Sequence, residues 1–101
     1  MSQRPNTQPI EVHALIPWAC GEVGAVIEGQ IVGTVDTQMG CHFVIEDQSG
    51  ERFRLPAHVD LDRKIQAVRV TESEPYIEAK FTGHEQDGKT RVYSVKHYPR
   101  R

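Results

Sequence analysis

Cationic and aromatic side chains recur at alternating positions in the second half of this chain. Arginine forms paired hydrogen bonds with phosphate oxygens, lysine supplies a point charge, and a tyrosine ring offers a face on which a flat ring can stack. The candidate side chains of this kind are Arg52, Arg54, Tyr76, Lys80, Lys89, Arg91, Lys96 and Tyr98. This chemistry suits a nucleic-acid strand, provided that the fold places these side chains on a common surface.

Charge is distributed unevenly along the 101 residues. Residues 5–51 contain seven Asp or Glu and no Lys or Arg, whereas residues 52–101 contain eleven Lys or Arg and seven acids. Such asymmetry indicates either an anionic partner for the basic half or two faces that pair across the fold. The pI of 6.2 is below that of most free-standing nucleic-acid-binding proteins.

The polar residues do not form a pattern typical of catalysis. A nucleophile needs a base and an orienting group close by. The five histidines occur singly: His13, His42, His58, His84 and His97. Cys41 and His42 are neighbours on a predicted strand, so their side chains point to opposite faces, and we expect Cys41 to lie in the core. The sequence therefore predicts a protein that is not an enzyme.

Metal, cofactor and membrane sites are not expected either. Cys20 and Cys41 lack the close paired spacing of a zinc module, and two cysteines do not make a disulfide framework. No apolar run approaches the roughly 20 residues that cross a bilayer, and the first residues lack the apolar segment of a secretory signal. We expect a cytoplasmic chain with reduced thiols, no metal and no cofactor.

The stretch CHFVIEDQSGERFRLP alternates apolar and polar residues around a Gln-Ser-Gly turn, which is typical of a β-hairpin. In the register that buries the apolar side chains, Ile45 faces Phe53 and Glu46 faces Arg52. Arg54 then lies on the same outer side as Arg52.

Residues 76–98 show the same alternation on both sides of a Gln-Asp-Gly turn, which predicts a second β-hairpin. Burial of the apolar residues sets Phe81 opposite Tyr93. The outer side then carries Tyr76 opposite Tyr98, Glu78 opposite Lys96, and Lys80, with Lys89 and Arg91 near the turn.

A long strand precedes both hairpins. AVIEGQIVGTV has a period of two, which places five residues on one side: Ile27, Gly29, Ile31, Gly33 and Val35. Glycines within a strand indicate a bend or the close approach of another backbone, and small barrels use such a strand to turn a corner.

The remaining stretches complete a single domain. Residues 57–64 predict one or two helical turns, with Val59, Leu61 and Ile65 capping one end of the barrel, and residues 66–71 predict a further strand. Residues 10–18 predict a short strand or a lid at the start of a domain that spans 10–101, and residues 1–9 a flexible tail.

The element order of a long bent strand, two strands, a short helix and two strands resembles that of the OB-fold from about Gly24 to Tyr98. This resemblance implies an all-β, five-stranded Greek-key barrel, with a helix between strands three and four and a binding face on strands two and three. An SH3-like barrel fits almost the same pattern. GQIVGT and FVIEDQSGERFRLP are also similar to small β segments that accompany plasmid mobilisation relaxases, which implies at most an accessory module.

The pattern favours a module that binds single-stranded DNA or RNA, alone or within a nucleic-acid-handling complex. Arg52 and Arg54 would contact phosphate, and Lys80 and Lys96 would extend the cationic track, beside the stacking rings of Tyr76 and Tyr98.

The alternative is a protein-interaction or regulatory subunit. Val44 and Val92 on the outer faces, or an exposed strand edge, would then contact a protein partner. A nucleic-acid mimic that uses the acidic stretch at 22–51 is a further possibility.

Overall fold

The computed structural model describes residues 15–99. Its elements are β1 (Ile16–Pro17), β2 (Val26–Thr37), β3 (Gly40–Glu46), β4 (Arg52–Arg54), α1 (Val59–Arg69), β5 (Tyr76–His84) and β6 (Arg91–Tyr98). All six strands form one sheet in the order β1-β4-β3-β2-β5-β6. The predicted tail at 1–9 and most of the segment at 10–18 lie outside the described residues, and β1 is the end of that segment.

The long strand β2 connects the two halves of the sheet. Its first half, from Val26 to Gln30, pairs with β5, and its second half, from Gln30 to Thr37, pairs with β3. A Cβ atom on Gly29 would lie 2.3 Å from the backbone oxygen of Glu46 in β3. The prediction that another backbone approaches closely at a glycine of this strand is therefore confirmed.

Both predicted hairpin registers are confirmed. In the first hairpin, Ile45 lies opposite Phe53 and Glu46 lies opposite Arg52. In the second, the predicted pairs from Tyr76 opposite Tyr98 to Phe81 opposite Tyr93 are all present. These registers place one side of each hairpin against the core and the other on what we call the outer face, the side of the sheet that faces away from α1.

A β-bulge in β2 changes which residues of this strand face the core. The register shifts between Ile31 and Gly33, which leaves Val32 without an opposite residue. One extra residue inverts the alternation beyond it, so Val35 lies on the outer face. The prediction that Gly33 and Val35 share a side with Ile31 is wrong, because a period of two gives no signal for an inserted residue.

A small apolar cluster on the outer face follows from this bulge. Leu15, Val35 and Val44 are buried together, with Val32 packed against them. Val44 is fully buried in this cluster with Leu15 and Val35, so its predicted role as an exposed interface contact is wrong. Cys41, expected in the core, is exposed at the beginning of β3.

The helix extends through residues that the sequence predicts as a strand. Leu61 and Ile65 are buried and Val68 is partly buried, a spacing that places them on one helical face. The strand prediction at 66–71 is wrong, because a short β-branched run does not by itself distinguish a strand from the last turn of a helix. Val59 is 80% exposed and does not cap the core.

The main core lies between the sheet and α1. Its buried members are Ile27, Ile31, Phe43, Ile45, Leu55, Leu61, Ile65, Ile77, Ala79, Phe81 and Tyr93. Within residues 15–99, β1 and β6 are the two edges of the sheet, so the sheet is not closed into a barrel. The fold is therefore mostly β, with one six-stranded sheet and one helix.

Side chains of α1 occupy part of the free edge of β6. The Asp60 carboxylate accepts the Tyr93 backbone N–H at 2.9 Å, and Lys64 donates to the Tyr93 carbonyl. Lys64 and Arg63 also lie within 2.9 and 2.6 Å of the same carboxylate. Burial acts to raise the pKa of Asp60, but the hydrogen bonds from Tyr93, Lys64 and Arg63 outweigh it and hold the pKa at about 2.

We expect Gly29→Ala to destabilise the protein by about 1–3 kcal/mol, because its Cβ would overpack against the backbone of β3. Gly21→Ala is the matched control, since a Cβ there meets no atom within 4 Å and alanine lowers the entropy of the unfolded chain. Urea unfolding followed by the fluorescence of the single tryptophan, Trp18, measures both variants. An unchanged midpoint for Gly29→Ala would contradict the close approach of the two strands.

We expect Asp60→Asn to lower the free energy of unfolding at neutral pH by about 1–3 kcal/mol, because Lys64 and Arg63 lose their charged acceptor. The folded-state pKa lies below the ordinary value of 3.8, so this stabilisation is present above pH 3.8 and is lost as the pH falls toward 2. The difference between the parent and the variant should therefore shrink across that interval in acid-dependent urea unfolding.

Asp62→Asn is the control on the same helix. Burial raises the pKa of Asp62, and its buried Oδ1 atom has no hydrogen-bond partner within the described chain. Removing this charge should leave the stability at neutral pH unchanged or slightly higher. If both variants lost the same free energy of unfolding, the hydrogen bond between Asp60 and Tyr93 would make no specific contribution to stability.

Candidate nucleic-acid interface

One row of side chains crosses the outer face of five strands. The strand registers place its members side by side: Arg52, Glu46, Gln30, Tyr76 and Tyr98. With neighbouring strands about 4.8 Å apart, this outer row is about 19 Å long. It extends from the cation on β4 to the aromatic pair on β5 and β6.

The aromatic pair forms one end of the outer row. The ring centroids of Tyr76 and Tyr98 are 6.1 Å apart with an interplanar angle of 65°, which is an edge-to-face contact. The Lys96 ammonium lies 5.5 Å from the centroid of the Tyr98 ring, and Tyr98 is 36% exposed. An aromatic surface and a cation therefore occur together at this end.

The Tyr76 ring is held by its hydroxyl group. The Gln48 side-chain amide donates to that oxygen at 3.1 Å, and the Glu28 carboxylate lies close enough to the hydroxyl to raise its pKa. The Gln48 bond acts to lower the pKa of Tyr76, but burial and the Glu28 carboxylate outweigh it, so the pKa is raised and the phenol keeps its proton. Tyr76 is on β5 and Gln48 follows β3, and these two strands flank β2. The Tyr76 ring therefore extends across β2 to reach Gln48.

Three cations share the outer face with this pair. Arg52 lies 3.4 Å from Glu46, but its side chain is 43% exposed, and a pair of this kind contributes little to stability. Lys80 and Lys96 are exposed on β5 and β6, the two strands that carry the tyrosine pair. All three cations are therefore accessible to an anionic ligand.

Acidic side chains separate these cations. Glu28 on β2 lies opposite Glu78 on β5, and Glu78 lies opposite Lys96 on β6. Glu46 stands between Arg52 and the rest of the row. The outer face is therefore a mixed surface rather than a continuous cationic track.

The other three predicted residues are set apart from the outer row. Arg54 is half-buried and lines a different cavity, of about 260 Å³, with Trp18 and His58. Lys89 lies in the β5–β6 loop. Their predicted contacts with nucleic acid stay predictions.

Arg91 has partners inside the molecule. Its guanidinium donates to the Cys20 carbonyl and lies 3.9 Å from the centroid of the Phe81 ring. Arg91 lies two residues before the buried Tyr93 on β6, so the alternation of that strand places it on the core side. Its predicted role as a phosphate contact also stays a prediction, and the structure gives it a packing role.

Sequence reasoning missed the polar neighbours of Tyr76. A cleft of about 330 Å³ beside this ring is lined by Glu28, Asp47, Gln48, Ser49 and Tyr76. The composition of the first hairpin turn includes Gln48, but its position beside Tyr76 depends on the pairing of β2 with both β3 and β5. No local pattern encodes that pairing.

Other kinds of site were also sought. Among residues 15–99, no three His, Cys, Asp or Glu side chains are grouped so that they could hold a metal ion. The helix in this part of the chain is too short and too polar to cross a membrane. Comparison of the chain with models of protein families, with curated proteins and with solved structures finds no match in any of the three.

Proposed function

We propose that this protein is a non-enzymatic module that binds single-stranded DNA or RNA on the outer face of its sheet. The observation that carries the proposal is the pair of Tyr76 and Tyr98, with the Lys96 ammonium 5.5 Å from one ring centroid. Bases stack on such rings with about 1–3 kcal/mol each, whatever their sequence. The adjacent cation is placed to meet the phosphate that follows a stacked base.

The length of the outer row supports binding of an extended strand. A strand that stacks on the tyrosine pair and crosses β2 and β3 reaches Arg52 on β4, where a guanidinium forms paired hydrogen bonds with phosphate. Lys80 lies four residues after Tyr76 on the same face of β5 and extends the cationic surface along that strand. The two ends of the row thus offer stacking and phosphate contact respectively.

The strand order supports a relation to the OB-fold. β2 pairs with both β3 and β5, and α1 connects β4 to β5, as expected for a partly open Greek-key barrel. In that fold the second and third strands contribute to the binding face, and here these are β3 and β4. The relation is part of the proposal and points to the same surface.

Fluorescence anisotropy of labelled single-stranded DNA and RNA of about 16 nucleotides, the upper site size of one OB-fold, tests the proposal. Three accessible cations predict a slope of about 2 in a plot of log affinity against log salt concentration, at about 0.7 per neutralised phosphate. Absence of binding at low salt and high protein concentration would overturn the proposal. The same surface would then be tested against protein partners.

We expect Tyr98→Ala to weaken binding by roughly 5- to 150-fold, the loss of one stacked base. Tyr98→Phe keeps the ring and should bind like the parent. If the alanine and phenylalanine variants bind equally well in the anisotropy titration, the tyrosine pair is not the stacking surface.

Lys96→Ala should lower the salt slope by about 0.7, because one phosphate contact is lost. Lys89→Ala is the matched control, since its exposed cation lies in the β5–β6 loop rather than on the outer row. A larger effect from Lys89 than from Lys96 would move the interface away from the outer face.

A further inference from the structure

The cleft beside Tyr76 contains a carboxylate whose position the fold does not explain. Glu28 is exposed and lies directly opposite Glu78 on the neighbouring strand. Repulsion between the two like charges makes this pair unfavourable. Within residues 15–99 it forms no ion pair, and the neighbouring group that it influences is the Tyr76 hydroxyl, whose pKa it raises. A carboxylate offers about four lone-pair sites, so most of its accepting capacity is unused.

The second carboxylate of the cleft is already committed to the hairpin turn. One oxygen of Asp47 accepts the backbone N–H groups of Ser49 and Glu51 and the hydroxyl of Ser49. These hydrogen bonds lower the pKa of Asp47, so it stays ionised as a turn-forming group. Glu28 is therefore the carboxylate of this cleft that takes no part in forming the hairpin turn.

The cleft adjoins the surface on which a base would stack. Tyr76 forms its wall, and the Gln48 amide nitrogen is used in holding that ring. Gln30 lies opposite Tyr76, and Glu28 lies two residues before Gln30 on β2. Glu28 therefore shares a face of the sheet with Tyr76 and is its diagonal neighbour. A base stacked at this end thus has a carboxylate beside its edge.

The four bases differ in what they offer to two adjacent acceptor oxygens. Guanine presents two neighbouring donors on its Watson–Crick edge, N1–H and the N2 amino group. Adenine places one donor beside one acceptor, cytosine places one donor beside two acceptors, and thymine or uracil places one donor between two acceptors. Single-stranded nucleic acids are read on these edges, and hydrogen bonds to an ionised acceptor are the strong ones.

We propose that the Glu28 carboxylate accepts both donors of a guanine stacked at the Tyr76–Tyr98 pair, so that the protein prefers guanine-containing single strands. This inference rests on the proposed function and names the ligand class of the same site. It also gives a role to an acidic side chain that otherwise repels phosphate on the binding face. Bidentate contact of this kind is expected to favour guanine by roughly 5- to 150-fold over the other bases.

The test uses oligothymidylates of about 16 nucleotides, the upper site size of one OB-fold, that carry one central guanine, hypoxanthine, adenine or cytosine. Adenine controls for the stronger stacking of a purine, and hypoxanthine lacks only the N2 amino group. Anisotropy titration of the parent protein should show tighter binding of the guanine strand alone. A single guanine per strand avoids structures formed by guanine runs.

Glu28→Gln should remove the guanine preference while binding of the unsubstituted oligothymidylate is kept or becomes tighter, because a negative charge is lost. A misfolded variant would lose both, so unchanged or tighter oligothymidylate binding separates the two effects. Glu78→Gln is the matched control on the neighbouring strand, and it should keep the preference.

Each other result has one meaning. Equal affinity for all substituted strands would overturn the guanine inference and leave the proposed function in place. A guanine preference that persists in Glu28→Gln would also overturn the inference. Absence of binding to every strand would overturn the proposed function itself.

Discussion

The hydrogen bond from the Tyr93 backbone to the Asp60 carboxylate is the contact on which the rest of the structure depends. It fixes α1 at the free edge of β6, and the buried face of that helix then closes the core. The centroids of the Tyr93 and Trp18 rings are also 6.0 Å apart, and the Tyr93 hydroxyl forms a hydrogen bond of 2.6 Å with His58 Nδ1. One residue thus joins the edge strand, the helix and the N-terminal segment. The buried Asp60 carboxylate stays ionised because three donors form hydrogen bonds with it.

This arrangement determines which face of the sheet is available to a ligand. A free strand edge is normally a site of unwanted pairing, and native proteins cover it or add charge to it. Here helix side chains satisfy both backbone groups of Tyr93. Because α1 and the segment around Trp18 both pack on the core side, residues 15–99 leave most of the outer face uncovered. The exception is the patch over Val44, where Leu15 is buried together with Val44 and Val35.

The parts of the fold that the sequence predicts are those with local signals. Each hairpin has a Gly-containing turn between alternating strands, so its register follows from burying apolar residues, and the tyrosine pair follows from the register. The bulges at Val32 and near Thr82 insert single residues without a local signal, and the first is the reason that Val35 has an unexpected orientation. Glu28 was not predicted beside Tyr76 for another reason. Their contact depends on a pairing between strands about fifty residues apart, beyond the range of any pattern of alternation.

Acidic residues on the outer face change how a strand would be held there. Three glutamates stand among three accessible cations, and the whole chain carries a net charge of −2. Phosphate neutralisation alone therefore supplies little net attraction, and stacking together with contacts to base edges must provide the rest. On such a surface a polyanion without suitable bases is repelled as much as it is attracted. In the proposed complex, selectivity for the base would arise from the same charges that weaken non-specific binding, because the glutamates would disfavour phosphate and accept hydrogen bonds from base donors.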